Sequence, residues 1–284
     1  MANYSLDSAY EECRQIATHY ENFPVGSLLV PKKLRKHFFA LYAFMRTADD
    51  IADLPHRPSE ERLMLLEEWR LHLQEVIAGK EPSQPVFIAL ADTIKICSLP
   101  TSPLERLLEA FEFDARGEVS FETFNDLRWY TARSADPVGE LVLALFGYHS
   151  EKMIRKSDDI CTGLQLLNFI QDIREDLLED RYYYPMEDWQ TLSLAPSDEP
   201  DKQRLALLSL FELERVESLI DKGAPLAEEV SGRLKYELRA IVLSARRLIS
   251  TIRKMDGNTF GKRPKLKSWE RIVVLLQSLV VRVS

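Results

Sequence analysis

The sequence is poor in the residues that mark several common chemistries. Cysteine occurs three times, at Cys13, Cys97 and Cys161, with no CxxC pair. An odd, scattered set argues against a disulfide framework and fits a reducing compartment. The five histidines (His19, His37, His56, His72 and His149) make no HxxxH or HExxH pair, which argues against a zinc hydrolase. The ten glycines form neither GxGxxG nor GxxxxGK[ST], so no dinucleotide or P-loop cradle is visible. No run of about 18 apolar residues could span a bilayer. The first residues, MANYSLDSAYEECRQ, lack the basic-then-apolar pattern of a secretory signal, so the expected location is cytoplasmic. Basic charge is also in deficit. The net charge of −8 argues against nucleic acid as the main partner.

What is present is helical periodicity. The 284 residues, 45% hydrophobic and 29% charged, suit a globular chain able to bury both a core and a deep apolar cavity. The pattern predicts helices over 6–21, 31–54, 59–79, 84–98, 102–116, 121–132, 137–147, 151–179, 202–223, 225–255 and 268–282. Prolines and glycines punctuate them, at Pro55 with Pro58, from Gly79 to Pro85, and at Pro100 with Pro103. The segment from Leu194 to Lys202 reads as a mobile surface loop or as a plain connection. No alternating strand pattern and no internal repeat is evident. The fold class expected is all-α, a single domain spanning residues 1–284.

Two acidic clusters stand out. In FFALYAFMRTADDIAD (Phe38–Asp53), Phe38, Tyr42, Met45, Arg46, Asp49 and Asp53 fall within an arc of about 100° on a helix. Asp49 and Asp53 sit one turn apart. Like charges at that spacing destabilise a bare helix, and a bridging cation would relieve them. Mg²⁺ prefers oxygen donors and takes one or two carboxylates with water and phosphate. The alternative is a solvated acidic helix end, with Asp50 a surface charge or an outer ligand.

The second cluster is QLLNFIQDIREDLLEDR (Gln165–Arg181). With Gln165 at zero, Asn168, Asp172, Asp176 and Glu179 fall within about 60° of it over four turns. Leu166, Leu167, Phe169, Ile170, Ile173 and Leu177 occupy the other faces and require burial. A polar stripe on a largely buried helix lines a site, or else it faces water. Two such stripes could hold metal ions around one diphosphate, neutralising an allylic leaving group. Arg46 and Arg181 could grip phosphate oxygens or pair with the neighbouring acids.

These residues resemble the squalene/phytoene synthase family, the head-to-head prenyl synthases. The first family motif is similar to LYAFMRTADDIAD, matching at Tyr42, Arg46, Asp49 and Asp53. The second is similar to QLLNFIQDIREDLLEDRYYYP, matching at Gln165, Asn168, Asp172, Asp176, Arg181, Tyr183 and Pro185. A third stretch, WYTARSADPVGELV, places Tyr130 and Gly139. Within the family, Glu21–Pro31 (ENFPVGSLLVP), RTADDIAD and the SADPVG run resemble the bacterial hydroxysqualene-forming subgroup. That subgroup often has Asn where Asp136 stands, and the usual Arg-Tyr pair reads Ser120-Phe121.

The resemblance implies an isoprenoid synthase-type bundle around a central cavity. It implies two or three Mg²⁺ ions held by Asp49, Asp53, Asp172 and Asp176. Gln165, Asn168, Arg46, Arg181 and Tyr183 would contact the diphosphate. Tyr42 and Tyr130 would line the cavity, where a ring face stabilises a carbocation. The implied reaction is ionisation of presqualene diphosphate and capture by water to give hydroxysqualene, with no NADPH. A synthase condensing prenyl diphosphates to presqualene diphosphate, squalene or phytoene-type products would use the same metal face. A non-catalytic assembly factor and a plain helical scaffold are the readings of other classes. The tails would need a tunnel lined by residues such as Phe38, Leu166 and Phe169. The C-terminal segment joins Lys262, Arg263, Lys265 and Lys267 to an apolar helix. It suggests either a packed terminal helix or peripheral contact at the inner membrane face. Neighbouring squalene-pathway enzymes are further implied partners.

Overall fold

The structure, a computed structural model, describes residues 4–19, 30–117, 119–194 and 201–283. Residues 21–29 of the Glu21–Pro31 stretch and 195–200 of the Leu194–Lys202 loop lie outside the described residues. Thirteen helices form among those described. They are α1 (Leu6–His19), α2 (Lys32–Ala52), α3 (Ser59–Ile77), α4 (Pro85–Cys97), α5 (Ser102–Arg116), α6 (Phe124–Ser134) and α7 (Asp136–Leu145). The remainder are α8 (Glu151–Leu178), α9 (Met186–Thr191), α10 (Lys202–Gly223), α11 (Leu226–Glu229), α12 (Gly232–Lys254) and α13 (Ser268–Val280). No strand forms among the described residues; the single backbone bridge joins Ser120 to Tyr182.

Local chemistry explains most boundaries. Pro85 opens α4 and Pro103 lies in the first turn of α5, positions where a missing N–H costs nothing. Thr123 and Asp126 form a reciprocal capping box at α6. That cap starts the helix at Phe124 rather than at 121. The pattern over 225–255 predicts one helix, but it divides into α11 and α12. Val230 and Ser231 are extended, and Gly232 takes φ 64°. The short α9 follows Pro185 and has too few turns to show a periodicity.

The chain divides into two compact units. The first comprises Met1–Gly117 and Pro137–His149. Here α2 packs against α1, α3, α4 and α5. Phe44, Leu66, Leu73, Phe87 and Leu90 are fully buried, and the Trp69 ring lies 4.5 Å from that of Phe87. Burial of each such side chain contributes about 1.5–3 kcal/mol. A buried polar knot ties α1 to α2 and α4. In it the Tyr10 hydroxyl donates to Asp92 at 2.7 Å and lies 3.0 Å from both His37 and Thr93.

The second unit comprises Glu118–Asp136 and Ser150–Ser284, with α8 at its centre. Helix α8 contacts α6, α10, α11 and α12. Its approach to α10 is close because Gly163 and Gly223 lack side chains. A Cβ on Gly223 would lie 2.5 Å from Ile160 Cγ1 and 2.6 Å from the Lys156 carbonyl. On the α6 side, Arg128 donates to Asp136 at 2.8 Å, and Thr162 Oγ1 donates to the other oxygen of Asp136 at 2.8 Å. Asp136 is thus a satisfied buried acid that fixes α6 on α8.

Candidate functional site

In the first unit, Ala43, Phe44, Ala48 and Ala52 turn into the core. This rotation leaves Tyr42, Arg46, Asp49 and Asp50 half-buried on another face of α2. Arg46 donates to Asp49 at 2.9 Å and pairs with Asp50 at 2.6 Å. Asp53 stands just beyond the last turn, its N–H bonded to the Asp49 carbonyl at 3.0 Å, and its side chain is exposed. A guanidinium set between two carboxylates keeps that end of α2 from accumulating unscreened negative charge.

In the second unit, α8 buries Leu166, Leu167, Phe169, Ile170 and Ile173, as the apolar pattern requires. Gln165 is half-buried and Asn168 exposed. Asp172 and Asp176 lie one turn apart, and their environments differ. Asp172 accepts two hydrogen bonds from Arg263, one from Nε and one from Nη2 at 2.8 Å. Asp176 has one carboxylate oxygen, Oδ2, buried with no hydrogen-bond partner among the described residues. Burial, reinforced by the negative charge of Asp172, pushes its pKa up to about 7, and Arg181 offsets only part of this. Glu179 has left the helix and is exposed, paired with Arg181 at 3.6 Å.

The chain after α8 is held in place by backbone bonds. Tyr182 N–H donates to the Val119 carbonyl at 2.8 Å, and Met186 N–H donates to that of Phe121 at 2.9 Å. This pairing brings Tyr183 under α6. Its ring stacks on Phe169 at 3.8 Å and 8°, and lies 6.0 Å from Tyr130. Phe121 completes the group, 5.5 Å from Tyr130. Phe169, Asp176, Arg181 and Tyr183, together with Tyr184 and Trp189, line one small cleft. An acid, a guanidinium and stacked aromatic faces therefore share one place.

Of the residues singled out in the sequence, Tyr42, Arg46, Asp49 and Asp53 fall in the first unit. Tyr130, Gln165, Asn168, Asp172, Asp176, Arg181 and Tyr183 fall in the second. Phe38 packs against the core of the first unit, while Leu166 and Phe169 are core residues of the second. Arg263 and Phe121 join these groups through tertiary contacts; in the sequence Arg263 is one residue of a basic run, and Phe121 is a departure from a family pair.

Among the described residues no group of three or more His, Cys, Asp or Glu side chains is placed to hold a metal ion. Mg²⁺ does not require one, since it is commonly bound through one or two carboxylates with water and substrate phosphates. An all-oxygen donor set with a buried, unpartnered carboxylate oxygen on Asp176 fits a hard cation of this kind.

Comparison with known proteins identifies the family. The family model described as squalene/phytoene synthase matches residues 16–270. The chain belongs to the squalene/phytoene synthase family. It is 26% identical over 287 residues to the 15-cis-phytoene synthase of Synechococcus elongatus, covering 95% of this chain and 92% of that one. It is 31% identical over 271 residues to the hydroxysqualene synthase of Rhodopseudomonas palustris, covering 92% and 89%. Among solved structures it is similar to the squalene synthase HpnC of Alicyclobacillus acidocaldarius. Identity there is 36% with a TM-score of 0.81, over 89% of this chain and 96% of that one. The all-α bundle is the isoprenoid synthase fold shared with that protein.

Proposed function

We propose that the chain is a Mg²⁺-dependent head-to-head prenyl diphosphate synthase, and that its two acidic motifs act on one substrate diphosphate. The observation that supports this most is the cleft of the second unit. It sets the half-buried Asp176, with one oxygen out of reach of solvent, and Arg181 beside the Tyr183–Phe169 stack, so a leaving-group contact adjoins a cation-stabilising face.

Asp49, Asp53, Asp172 and Asp176 would hold Mg²⁺, which when bound supplies Lewis-acid neutralisation of the departing diphosphate. Arg46, Arg181 and Arg263 each bring a guanidinium suited to bidentate phosphate contact. Gln165 and Asn168 can donate amide hydrogens to phosphate oxygens. The allylic C–O bond breaks with its electron pair going to diphosphate. The resulting cation is attacked by the double bond of a second prenyl diphosphate, and a proton is lost. The rings of Tyr183, Phe169 and Tyr130 offer negative π faces to the cation, and Tyr42 is a further ring on the first motif. The two compact units would work as one domain in this reading.

A second reading is favoured by identity. The chain is closer to the Rhodopseudomonas palustris hydroxysqualene synthase, at 31%, than to the Synechococcus elongatus phytoene synthase, at 26%. In that reaction a cyclopropylcarbinyl diphosphate ionises. Water attacks the rearranged cation and loses a proton, so an alcohol and diphosphate form without a reductant.

Incubation with farnesyl diphosphate and Mg²⁺, without NADPH, tests the first reading through diphosphate release and a C30 product. Presqualene diphosphate offered alone tests the second. An alcohol product from it, with no product from farnesyl diphosphate, replaces the first reading by the second. No turnover of farnesyl diphosphate, of a C20 prenyl diphosphate or of presqualene diphosphate by folded protein removes both.

A further inference from the structure

Helix α13 is held to the rest of the second unit by a narrow seam. It packs on α12. Val274 and Ser278 are buried, Arg239 donates to the Ser278 carbonyl at 3.2 Å, and Arg247 donates to Gln277 at 2.9 Å. The other side carries Trp269, Ile272, Leu275, Leu276, Leu279 and Val280, all exposed, from 44% at Leu275 to 79% at Val280. On a helical wheel these six fall within an arc of about 140°, roughly opposite the buried pair. A contiguous apolar face of this kind on a surface helix marks an interaction site.

Charge identifies the partner. The chain as a whole is acidic at −8, yet the stretch Lys262–Arg282 contains six basic residues and one acid, Glu270. Arg263 is engaged by Asp172. The other five, Lys262, Lys265, Lys267, Arg271 and Arg282, are exposed. They sit before, beside and beyond the apolar face. A basic rim around an exposed apolar stripe, led by a tryptophan, complements an anionic lipid surface. A second copy of the chain would bring two such basic rims to one interface with a single acid on each, which is unfavourable. No helix among the described residues is long and apolar enough to cross a bilayer. A helix of 13 residues, about 20 Å long, would instead lie in the plane of the interface.

We infer that α13 is an interfacial helix that lays its Trp269–Val280 face onto anionic lipid. The inference does not depend on the reaction proposed above, and its test uses no turnover. The full chain is sedimented with vesicles of phosphatidylcholine alone and of phosphatidylcholine mixed with phosphatidylglycerol. Binding to the mixed vesicles is expected at least about tenfold tighter than to the neutral ones, weakening as salt rises. Two variants follow, Ile272→Ser with Leu276→Ser and Leu279→Ser, and Lys265→Glu with Lys267→Glu and Arg271→Glu. Each should abolish binding. The second alters only exposed charged side chains, so it decides the matter should the first fail to fold. Equal affinity of wild type and charge-reversed protein overturns the inference, as does the absence of binding to mixed vesicles. A wild-type dimer that the serine variant converts to a monomer in sedimentation velocity overturns it in favour of a second copy as occupant.

Discussion

Arg263, in the segment leading into the last helix, donates two hydrogen bonds to Asp172 in the second acidic motif, ninety-one positions earlier in the chain. Gln171 anchors the same segment by donating to the Pro264 carbonyl at 2.6 Å. The pairing brings a guanidinium to the acidic face of α8. Replacing Arg263 by Ala should lower kcat/KM for a prenyl diphosphate by roughly 10- to 100-fold, the range of a charge-assisted hydrogen bond. Lys should restore only part of this, because it lacks the planar fork. The pair is partly exposed, so thermal melting should shift little. Steady-state kinetics with parallel melts checks both.

Asp176 and its neighbours make function and stability separable. A half-buried carboxylate with one buried, unpartnered oxygen beside another acid costs the fold free energy. Asp176→Asn should leave the melting temperature unchanged or raised, while turnover falls by about 10³-fold or more. A coincident loss of stability and activity in the melt and the assay would assign Asp176 to the core instead.

The stacked rings admit a graded test. Tyr183→Phe keeps the ring on Phe169 and should retain most activity. Tyr183→Leu keeps apolar bulk but loses the π face, and should lower kcat by about 10-fold, the scale of a desolvated cation–π contact. Equal activity of the two variants would leave the stack with a packing role only.

Gly223→Ala should destabilise the protein by about 1–3 kcal/mol, since the new methyl meets Ile160 and the Lys156 backbone. Urea titration of both proteins measures this directly.

A pH dependence of stability is expected from Arg215, which bridges Asp188 at 2.9 Å and Glu212 at 2.5 Å. Burial, with the neighbouring Asp188, pushes Glu212 up to about 8, against an ordinary value of 4.5, while Arg215 works the other way. Between these values the unfolded chain has released the proton that the folded chain keeps. The contribution of Glu212 is therefore complete at acid pH, declines as pH rises through this window and is lost above about 8. Asp188 is shifted downward, by Arg215 and Glu212 against the cost of burial, so its own contribution is lost only on acidification. Urea titrations across this range should show a falling stability that Glu212→Gln flattens.

Much of the fold was legible because long amphipathic patterns admit one reading. The buried set on α8 follows directly from Leu166, Leu167, Phe169, Ile170 and Ile173 at helical spacing. Turn chemistry was less legible. The Val230–Gly232 break lies inside an uninterrupted apolar rhythm, and a pattern of side chains says little about three residues of backbone. The acidic motifs announced themselves through spacing alone. The partnership of Asp172 with Arg263 is a tertiary contact, and no local signal encodes it. Phe121 joined the aromatic group because the backbone pairs with Tyr182 and Met186, which the sequence does not advertise.

If both acidic motifs serve one diphosphate, their losses are coupled, and a double-mutant cycle on Asp49 and Asp172 measures that coupling. Diphosphate release from a prenyl diphosphate substrate with Mg²⁺ is measured for Asp49→Asn, Asp172→Asn and the pair together. Each single change is expected to reduce turnover by about 10²-fold or more, and the double change to be little worse than the more damaging single one. Full additivity of the two losses, or near-normal turnover by either single variant, would contradict the account.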